Sequence, residues 1–239
     1  MIKGLLFDYG GTIDTNGRHW ANVIWEAYQA AGVETSFEQF MEAYTFGEKS
    51  LAIHPIIKPH HIFSEVLHLK TQQQFSYLKL AEGEYSKIEK IVSHCMKLVL
   101  TTVTEAKRTL DLLTETYPMV LVSNFYGNIQ SVLADFGLAD YFSDIVESAI
   151  VGVRKPNPAI YQLGVDRIGL NSAECVVIGD SFKKDIIPAK EVGCKTIWLN
   201  VDGIQEDLSV VGNEFADVQI TDFAQLPEAL QNINTQFVI

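Results

Sequence analysis

The chain has 239 residues, of which 47% are hydrophobic, so it can bury one substantial core, or a core with a smaller companion domain. Its formal net charge is -12, from 30 acidic and 18 basic residues. A nucleic-acid surface needs a basic stripe, and no basic run is longer than Lys183-Lys184, which argues against a nucleic-acid partner. No apolar run approaches the roughly 20 residues needed to cross a membrane, so a membrane-spanning protein is not expected.

The cysteines and the first residues of the chain bear on its compartment. Cys95, Cys175 and Cys194 are odd in number and lack the spacing of metal ligands. The first residues lead directly into an acidic position and do not read as a signal peptide. We therefore expect reduced thiols and a cytoplasmic protein.

The first elements along the chain are one strand followed by helices. Residues 3–8 form a short apolar run that ends in Asp8, as expected for a buried strand. Apolar residues then recur at helical spacing from Trp20 to Ala31, and Ser36 is placed to cap a second helix. Another such stripe runs from Ile88 to Val99. Residues 16–100 are therefore predicted to be an all-helical domain, inserted after the first strand.

The rest of the chain alternates between short apolar runs and helical patterns. Strands are predicted at 118–123, near 144–148, and at 175–179, 195–200 and 216–220, with helices around 127–136, 157–168 and 183–192. Continuous apolar strands that alternate with helices are typical of a parallel sheet covered on both faces. We predict a doubly wound α/β core domain, Rossmann-like in type, formed by residues 1–15 and 101–239.

Polar residues collect where the predicted strands end. The first strand ends in Asp8, the second in Ser123-Asn124, and a later one in Asp180, with Asp185 five residues further on. Lys155 precedes a proline in a loop before a helix. Because ligands of such sheets bind beyond the carboxyl ends of the strands, we expect these side chains to converge at one edge.

This set of side chains suits a magnesium ion and a phosphoryl group. Mg²⁺ prefers oxygen ligands and takes one or two carboxylates together with water and phosphate oxygens. A phosphoryl group needs hydrogen-bond donors and positive charge, which Ser123, Lys155 and the glycine-rich backbone after Asp8 can supply. An aspartate can also be a nucleophile that forms an acyl-phosphate. Each residue alone has an ordinary structural explanation, but their shared position at the strand ends favours a functional site over coincidence.

With these motifs in order, the sequence resembles the haloacid dehalogenase (HAD) superfamily, whose members are mostly Mg²⁺-dependent phosphatases with a cap domain. The motifs are Asp8-Tyr9-Gly10-Gly11-Thr12, then Ser123-Asn124, then Lys155, then Gly179-Asp180-Ser181 with Asp185. The resemblance implies that Asp8 is the nucleophile, with Ser123 and Lys155 as further catalytic residues. It implies Mg²⁺ bound by Asp8, Asp180, Asp185 and the Gly10 carbonyl, and a phosphorylated substrate held near Asn124, Gly10, Gly11 and Thr12.

One departure from the family pattern limits the expected rate. Phosphatases of this superfamily carry a second aspartate two residues after the nucleophile, where this chain has Gly10. That aspartate protonates the leaving group and then activates water, and such help is typically worth about 10²–10⁴-fold. The resemblance therefore predicts a slow phosphatase that acts on a small phosphorylated metabolite. Asp14 and His19 are the nearest candidates to replace the missing group, although a turn-capping acid and a surface imidazole are the simpler interpretations.

Two other functions stay open on the sequence. Dehalogenase- and phosphonatase-type relatives also lack the second aspartate. The paired Asp180 and Asp185 argue against metal-free carbon chemistry, and no cap lysine stands out as the Schiff-base residue of a phosphonatase. A catalytically impaired protein that binds a phosphorylated ligand is the third possibility.

Overall fold

Six parallel strands form the sheet that positions the candidate site. The computed structural model of the chain describes residues 1–201 and 216–235. The sheet order is β3-β2-β1-β4-β5-β6, with β1 and β4 adjacent at its centre. The strands are β1 (Gly4–Phe7), β2 (Met119–Ser123), β3 (Asp144–Glu147), β4 (Cys175–Gly179), β5 (Lys195–Leu199) and β6 (Val218–Ile220).

Helices cover both faces of this sheet. Alternate residues of each central strand point to opposite faces, and because these residues are apolar, both faces must be buried against helices. Leu5 and Phe7 belong to one buried cluster, and Leu6, between them, belongs to another. The second cluster also contains Tyr161 and Ala189, from helices that follow β3 and β4. The predicted doubly wound α/β core is therefore confirmed.

The helices fall into two groups along the chain. The first group, between β1 and β2, is α1 (Trp20–Ala31), α2 (Phe37–Ile53), α3 (Phe63–Leu78) and α4 (Ile88–Thr114). The second group covers the sheet: α5 (Ile129–Asp135), α6 (Ser148–Val151), α7 (Ala159–Ile168), α8 (Ile187–Glu191) and α9 (Leu226–Thr235). An inserted helical unit after the first strand is thus present, as predicted.

Local sequence explains where the first helices begin and end. Helix α1 ends at Gly32, whose φ of 69° is left-handed and is accessible to glycine at little cost. The Ser36 hydroxyl accepts a hydrogen bond from the Gln39 N–H, and the Gln39 side chain accepts one from the Ser36 N–H. This reciprocal capping box starts α2, as the sequence predicts.

Helix α4 connects the helical unit with the core. It is continuous over 27 residues and therefore passes through position 100, where the sequence analysis divides the two domains. Its apolar stripe continues from Ile91 and Cys95 to Leu110 and Leu113, all within the same buried cluster. The division into residues 1–15 with 101–239 and residues 16–100 stays a prediction, and its parts at 202–215 and 236–239 lie outside the described residues.

No helix in the described ranges has the length and apolar character required to cross a membrane.

Candidate active site

Asp8 lies at the carboxyl end of the central strand, where two hydrogen bonds hold its carboxylate. The residue directly follows β1 and is 6% exposed. The Lys155 ammonium donates to Oδ1 at 2.5 Å, and the Thr12 hydroxyl donates to Oδ2 at 2.8 Å. Burial raises the pKa of the Asp8 carboxyl above its ordinary value, and the Lys155 ammonium opposes that rise. Asp8 is thus fixed in orientation at the floor of a cavity.

The pairing of β1 with β4 brings Asp180 and Asp185 to the same place. Phe7 pairs with Ile178, so the residues that follow the two strands are neighbours. A π-helical turn over Phe182–Ile186 directs Asp185 back to the strand ends. One carboxylate oxygen of each of Asp8, Asp180 and Asp185 lies within 4.8 Å of the other two. The prediction that these three acids meet is borne out by this geometry.

Lys155 links two of the three carboxylates. Besides its bond to Asp8, its ammonium donates to Asp185 Oδ1 at 2.7 Å, and the side chain is almost fully buried. Burial disfavours the charged form, but the carboxylates of Asp185 and Asp8 outweigh it and raise the pKa of Lys155. Asn124 holds this loop with both ends of its amide, accepting from the Lys155 N–H and donating to the Lys155 carbonyl. Asn124 therefore positions Lys155.

The charge of this cluster fits a divalent cation. Three carboxylates share one ammonium, which leaves an excess of two negative charges in a largely buried place when all are ionised. Burial first, and then Asp8 and Asp185, raise the pKa of Asp180 well above its ordinary value. Asp180 accepts one hydrogen bond from the described residues, from the Thr12 hydroxyl to Oδ1 at 3.2 Å, and Oδ2 accepts none. Oxygen ligands with uncompensated negative charge are what Mg²⁺ requires.

The two glycines after Asp8 have different surroundings. A Cβ on Gly10 would meet no atom within 4 Å, whereas one on Gly11 would lie 2.4 Å from Asp180 Oδ2. The φ of Gly11 is also left-handed, at 100°. Its N–H donates to Asp14 Oδ1 at 2.7 Å, so this amide is already engaged. Gly11 thus allows Asp180 to approach the loop, and Gly10 faces open space.

The Thr12 and Ser123 hydroxyls differ in whether they are free to form a hydrogen bond with a substrate. Thr12 is fully buried, and its hydroxyl, which contacts Asp8 and Asp180, also accepts from the Asp180 N–H at 3.1 Å. Thr12 therefore orients carboxylates in this structure. Ser123 lines the cavity, and its hydroxyl has no hydrogen-bond partner among the described residues. The assignment of both residues to the substrate stays a prediction, and Ser123 is the better placed of the two.

The two candidates for the missing acid have structural partners. Asp14 is fully buried, and its carboxylate accepts from Gly11 and, at 3.0 Å, from Trp20 Nε1. Burial raises the pKa of Asp14 to about 7. His19 caps α1, with its Nδ1 accepting from the Ala21 N–H at 3.2 Å. Both residues also line the cavity, so the structural and the catalytic interpretations of each stay predictions.

Apart from His19, the sequence analysis did not identify the cap residues that line the same cavity. The cavity has a volume of about 430 Å³, and its wall includes Tyr44, Glu48, Phe63 and Lys70 from the cap and Tyr126 from the loop after β2. Lys70 is one of seven cap lysines, and only the packing of α2 against α3 distinguishes it. Tyr161, which donates to Asp185 Oδ1 at 2.6 Å, was also missed, because its helical spacing marks it only as a core residue.

Comparison with known proteins agrees with this site. Residues 2–193 match the model of the haloacid dehalogenase-like hydrolase family. A glyceraldehyde 3-phosphate phosphatase from Pyrococcus furiosus is 35% identical over 97 residues, which are 41% of this chain and 40% of that protein. A phosphoglycolate phosphatase from Pectobacterium atrosepticum is 35% identical over 108 residues, 42% of this chain and 46% of that protein. The matches thus span less than half of these relatives.

A solved structure extends the likeness over nearly the whole chain. The 2-haloacid dehalogenase from Pseudomonas syringae pv. Tomato DC3000 has a TM-score of 0.55 and 23% identity, with 98% of this chain and 100% of that chain covered. At this identity the likeness concerns the fold. With the family model covering most of its length and the four motifs assembled at one sheet edge, the chain belongs to the haloacid dehalogenase-like hydrolases.

Proposed function

We propose that the protein is a Mg²⁺-dependent phosphatase that hydrolyses a small phosphorylated metabolite through an aspartyl-phosphate at Asp8. One observation carries this proposal. Asp8 is held by Lys155 in a cluster with Asp180 and Asp185, beside a Ser123 hydroxyl that lines the same cavity. The relatives named as phosphatases of glyceraldehyde 3-phosphate and phosphoglycolate support a small phosphorylated substrate. A cavity of about 430 Å³ suits a ligand of this size.

The chain's own residues account for the attack. Asp8, Asp180, Asp185 and the Gly10 carbonyl would hold the magnesium ion, which neutralises charge on the phosphoryl oxygens when it is bound. Lys155 fixes the Asp8 carboxylate, and Thr12 restrains its second oxygen. An Asp8 oxygen then bonds to phosphorus as the bond from phosphorus to the leaving oxygen breaks, and the leaving oxygen takes a proton from water. A water molecule next attacks phosphorus, releasing phosphate and restoring the Asp8 carboxylate. The Ser123 hydroxyl is placed to donate to a phosphoryl oxygen.

The glycine at position 10 makes both halves of this reaction slow. Gly10 has no side chain that could act as the general acid, and Asp14, although it also lines the cavity, is engaged by Gly11 and Trp20. The leaving group therefore departs without a positioned proton donor. We propose that the attack is retained and that turnover is low.

A phosphonatase mechanism with a Schiff base is less well supported. Among the cap lysines, Lys70 is the one that lines the cavity. Its ammonium lies 2.6 Å from Glu48, and although burial works against the charge, Glu48 raises the pKa of Lys70 above its ordinary value. A lysine that stays protonated is a poor nucleophile toward a carbonyl. Lys70 is thus better suited to binding than to covalent catalysis.

Activity assays on three proteins test the proposal. The wild type, Asp8→Asn and Gly10→Asp are assayed with Mg²⁺ on a panel of phosphomonoesters. We expect loss of activity in Asp8→Asn and a gain in Gly10→Asp. Metal-independent release of halide from a 2-haloacid, without phosphatase activity, would establish the dehalogenase alternative. Ligand-dependent thermal stabilisation with no turnover in any variant would establish a binding protein.

We also propose a reducing compartment, since Cys95, Cys175 and Cys194 are buried free thiols.

A further inference from the structure

An ion pair of the cap, between a buried lysine and a half-buried glutamate, forms part of the cavity wall. The Lys70 ammonium of α3 lies 2.6 Å from Glu48 Oε1 of α2, and the Lys70 side chain is 10% exposed. Tyr126, in the loop after β2, donates its hydroxyl to Glu48 Oε2 at 2.6 Å. A Cβ on Gly47 would lie 3.1 Å from Gln74 Cγ and 3.4 Å from the Lys70 carbonyl, so α2 is close to α3 beside this pair. The two helices are therefore packed closely at the place where the pair forms.

The arrangement leaves Lys70 with donor capacity toward the cavity. Both Glu48 oxygens are engaged, one by Lys70 and one by Tyr126. An ammonium has three N–H donors, and among the described residues Lys70 has one acceptor, Glu48, so two donors remain available. Its other close contact is the face of the Tyr126 ring, whose centroid is 5.5 Å from the nitrogen. Glu48 and Tyr126 thus hold a protonated donor in place.

Stability gives little reason to keep such a pair. An ion pair with a partly exposed partner contributes only about 0–1 kcal/mol to stability, so the placing of Lys70 in a cavity wall favours a role in binding. Two further cations line the same cavity, Arg154 and Lys184, and neither has an ion-pair partner in the described part of the chain. Away from the carboxylates of Asp8 and its neighbours, the wall therefore carries more positive than negative charge.

We propose that Lys70 and Arg154 bind a carboxylate on the leaving group, so that the substrate is the phosphate ester of a small hydroxy acid. This inference rests on the proposed phosphatase function and specifies its substrate class. The phosphoryl group goes to Asp8 and the magnesium ligands, and the carboxylate goes to Lys70 and Arg154 in the wall of the same cavity. Glu48 lies beside Lys70 and would repel a second phosphate dianion more strongly than a singly charged carboxylate. The cap and the loop before Lys155 thereby select the substrate by the charge of its leaving group.

Two substrates that differ in one group test this assignment. Phosphoglycolate carries the carboxylate, and ethyl phosphate has a two-carbon chain without it. We expect the wild type to have a kcat/KM at least tenfold higher for phosphoglycolate. Lys70→Met and Arg154→Gln are each expected to lower kcat/KM for phosphoglycolate by about 10–100-fold, mostly through KM, because a charge-assisted hydrogen bond is lost, and to change kcat/KM for ethyl phosphate much less. Arg154 is exposed, so its variant tests the proposal even if Lys70→Met fails to fold.

Lys87→Met is the matched control, because Lys87 is also a cap lysine in an ion pair, with Glu84, and does not line the cavity. It should keep the wild-type preference. Equal kcat/KM for the two substrates in the wild type, or equal losses on both in the variants, would overturn the proposal while the phosphatase function stands. If no phosphomonoester is hydrolysed, titration of Asp8→Asn with both compounds decides the matter. Tighter binding of phosphoglycolate that depends on Arg154 supports the inference, and equal binding refutes it.

Discussion

Gly10→Asp is the substitution for which the structure makes the strongest prediction. The new Cβ would meet no atom within 4 Å, so the side chain can enter without displacing its neighbours. It would extend from the loop that follows Asp8, into a cavity that Asp8 and Asp180 also line. Negative charge from these two carboxylates favours the protonated form of a new carboxyl group, which is the form that donates to a leaving group.

The expected gain follows from what a general acid–base group contributes. Positioned proton transfer is worth about 10²–10⁴-fold, and an introduced side chain should reach the lower end of that range. We therefore expect about a 10²-fold rise in kcat, which corresponds to about 2.7 kcal/mol of barrier. The assay measures phosphate release with Mg²⁺ in the wild type, Gly10→Asp and Gly10→Asn, the last being a carboxamide of the same size. No gain in the aspartate variant, or an equal gain in the asparagine variant, would refute the reasoning.

Three other substitutions test separate parts of the site. Gly11→Ala should destabilise the protein by about 1–3 kcal/mol, because its Cβ would lie 2.4 Å from Asp180 Oδ2 on a left-handed backbone. The same displacement of Asp180 should weaken Mg²⁺ binding in calorimetric titrations. Gly10→Ala is the control and should bind Mg²⁺ like the wild type. Lys155→Met should lower the free energy of unfolding by about 3–5 kcal/mol, since it leaves Asp8 and Asp185 without their shared cation. Because Mg²⁺ would then neutralise these carboxylates, it should raise the Tm of this variant more than the Tm of the wild type. Equal shifts in Tm would contradict this.

Asp14→Asn tests the pH dependence of stability. The folded-state pKa of Asp14 is raised to about 7, so between about pH 4 and pH 7 the unfolded chain releases a proton that the folded protein keeps. Stability from this group is present at low pH and is lost as the pH rises, by up to a few kcal/mol. Urea unfolding with a chelator should show this decline in the wild type and a smaller one in Asp14→Asn. Parallel profiles would show that Asp14 does not titrate in this range.

The site residues at the carboxyl ends of the strands could be predicted, because each follows from a local sequence pattern. A buried strand ends at Asp8, and others end at Ser123 and Asp180, so the parallel topology alone brings these residues to one edge. Asp185 was predictable for a similar reason, since it lies in the first turn after the strand that delivers Asp180. In each case the information lies within a few residues of sequence.

The cap side of the cavity could not be predicted in the same way. Glu48, Lys70 and Tyr126 come from two helices and a core loop, and they meet only after tertiary packing. Periodicity marks which face of a helix is apolar, and it does not say which lysine on that helix is buried against an acid. The length of α4, in contrast, is encoded locally, because its apolar stripe continues without a break to Leu113.

The central claim is that Asp8 attacks phosphorus, and trapping the intermediate tests it most directly. The protein is mixed with Mg²⁺ and phosphoglycolate, quenched in acid during turnover and reduced with borohydride, which converts an acyl-phosphate into an alcohol. Mass spectrometry of the peptide that contains Asp8 should then show homoserine at position 8, and the Asp8→Asn variant should show none. Release of phosphate while Asp8 remains unmodified under the same quench would contradict the account.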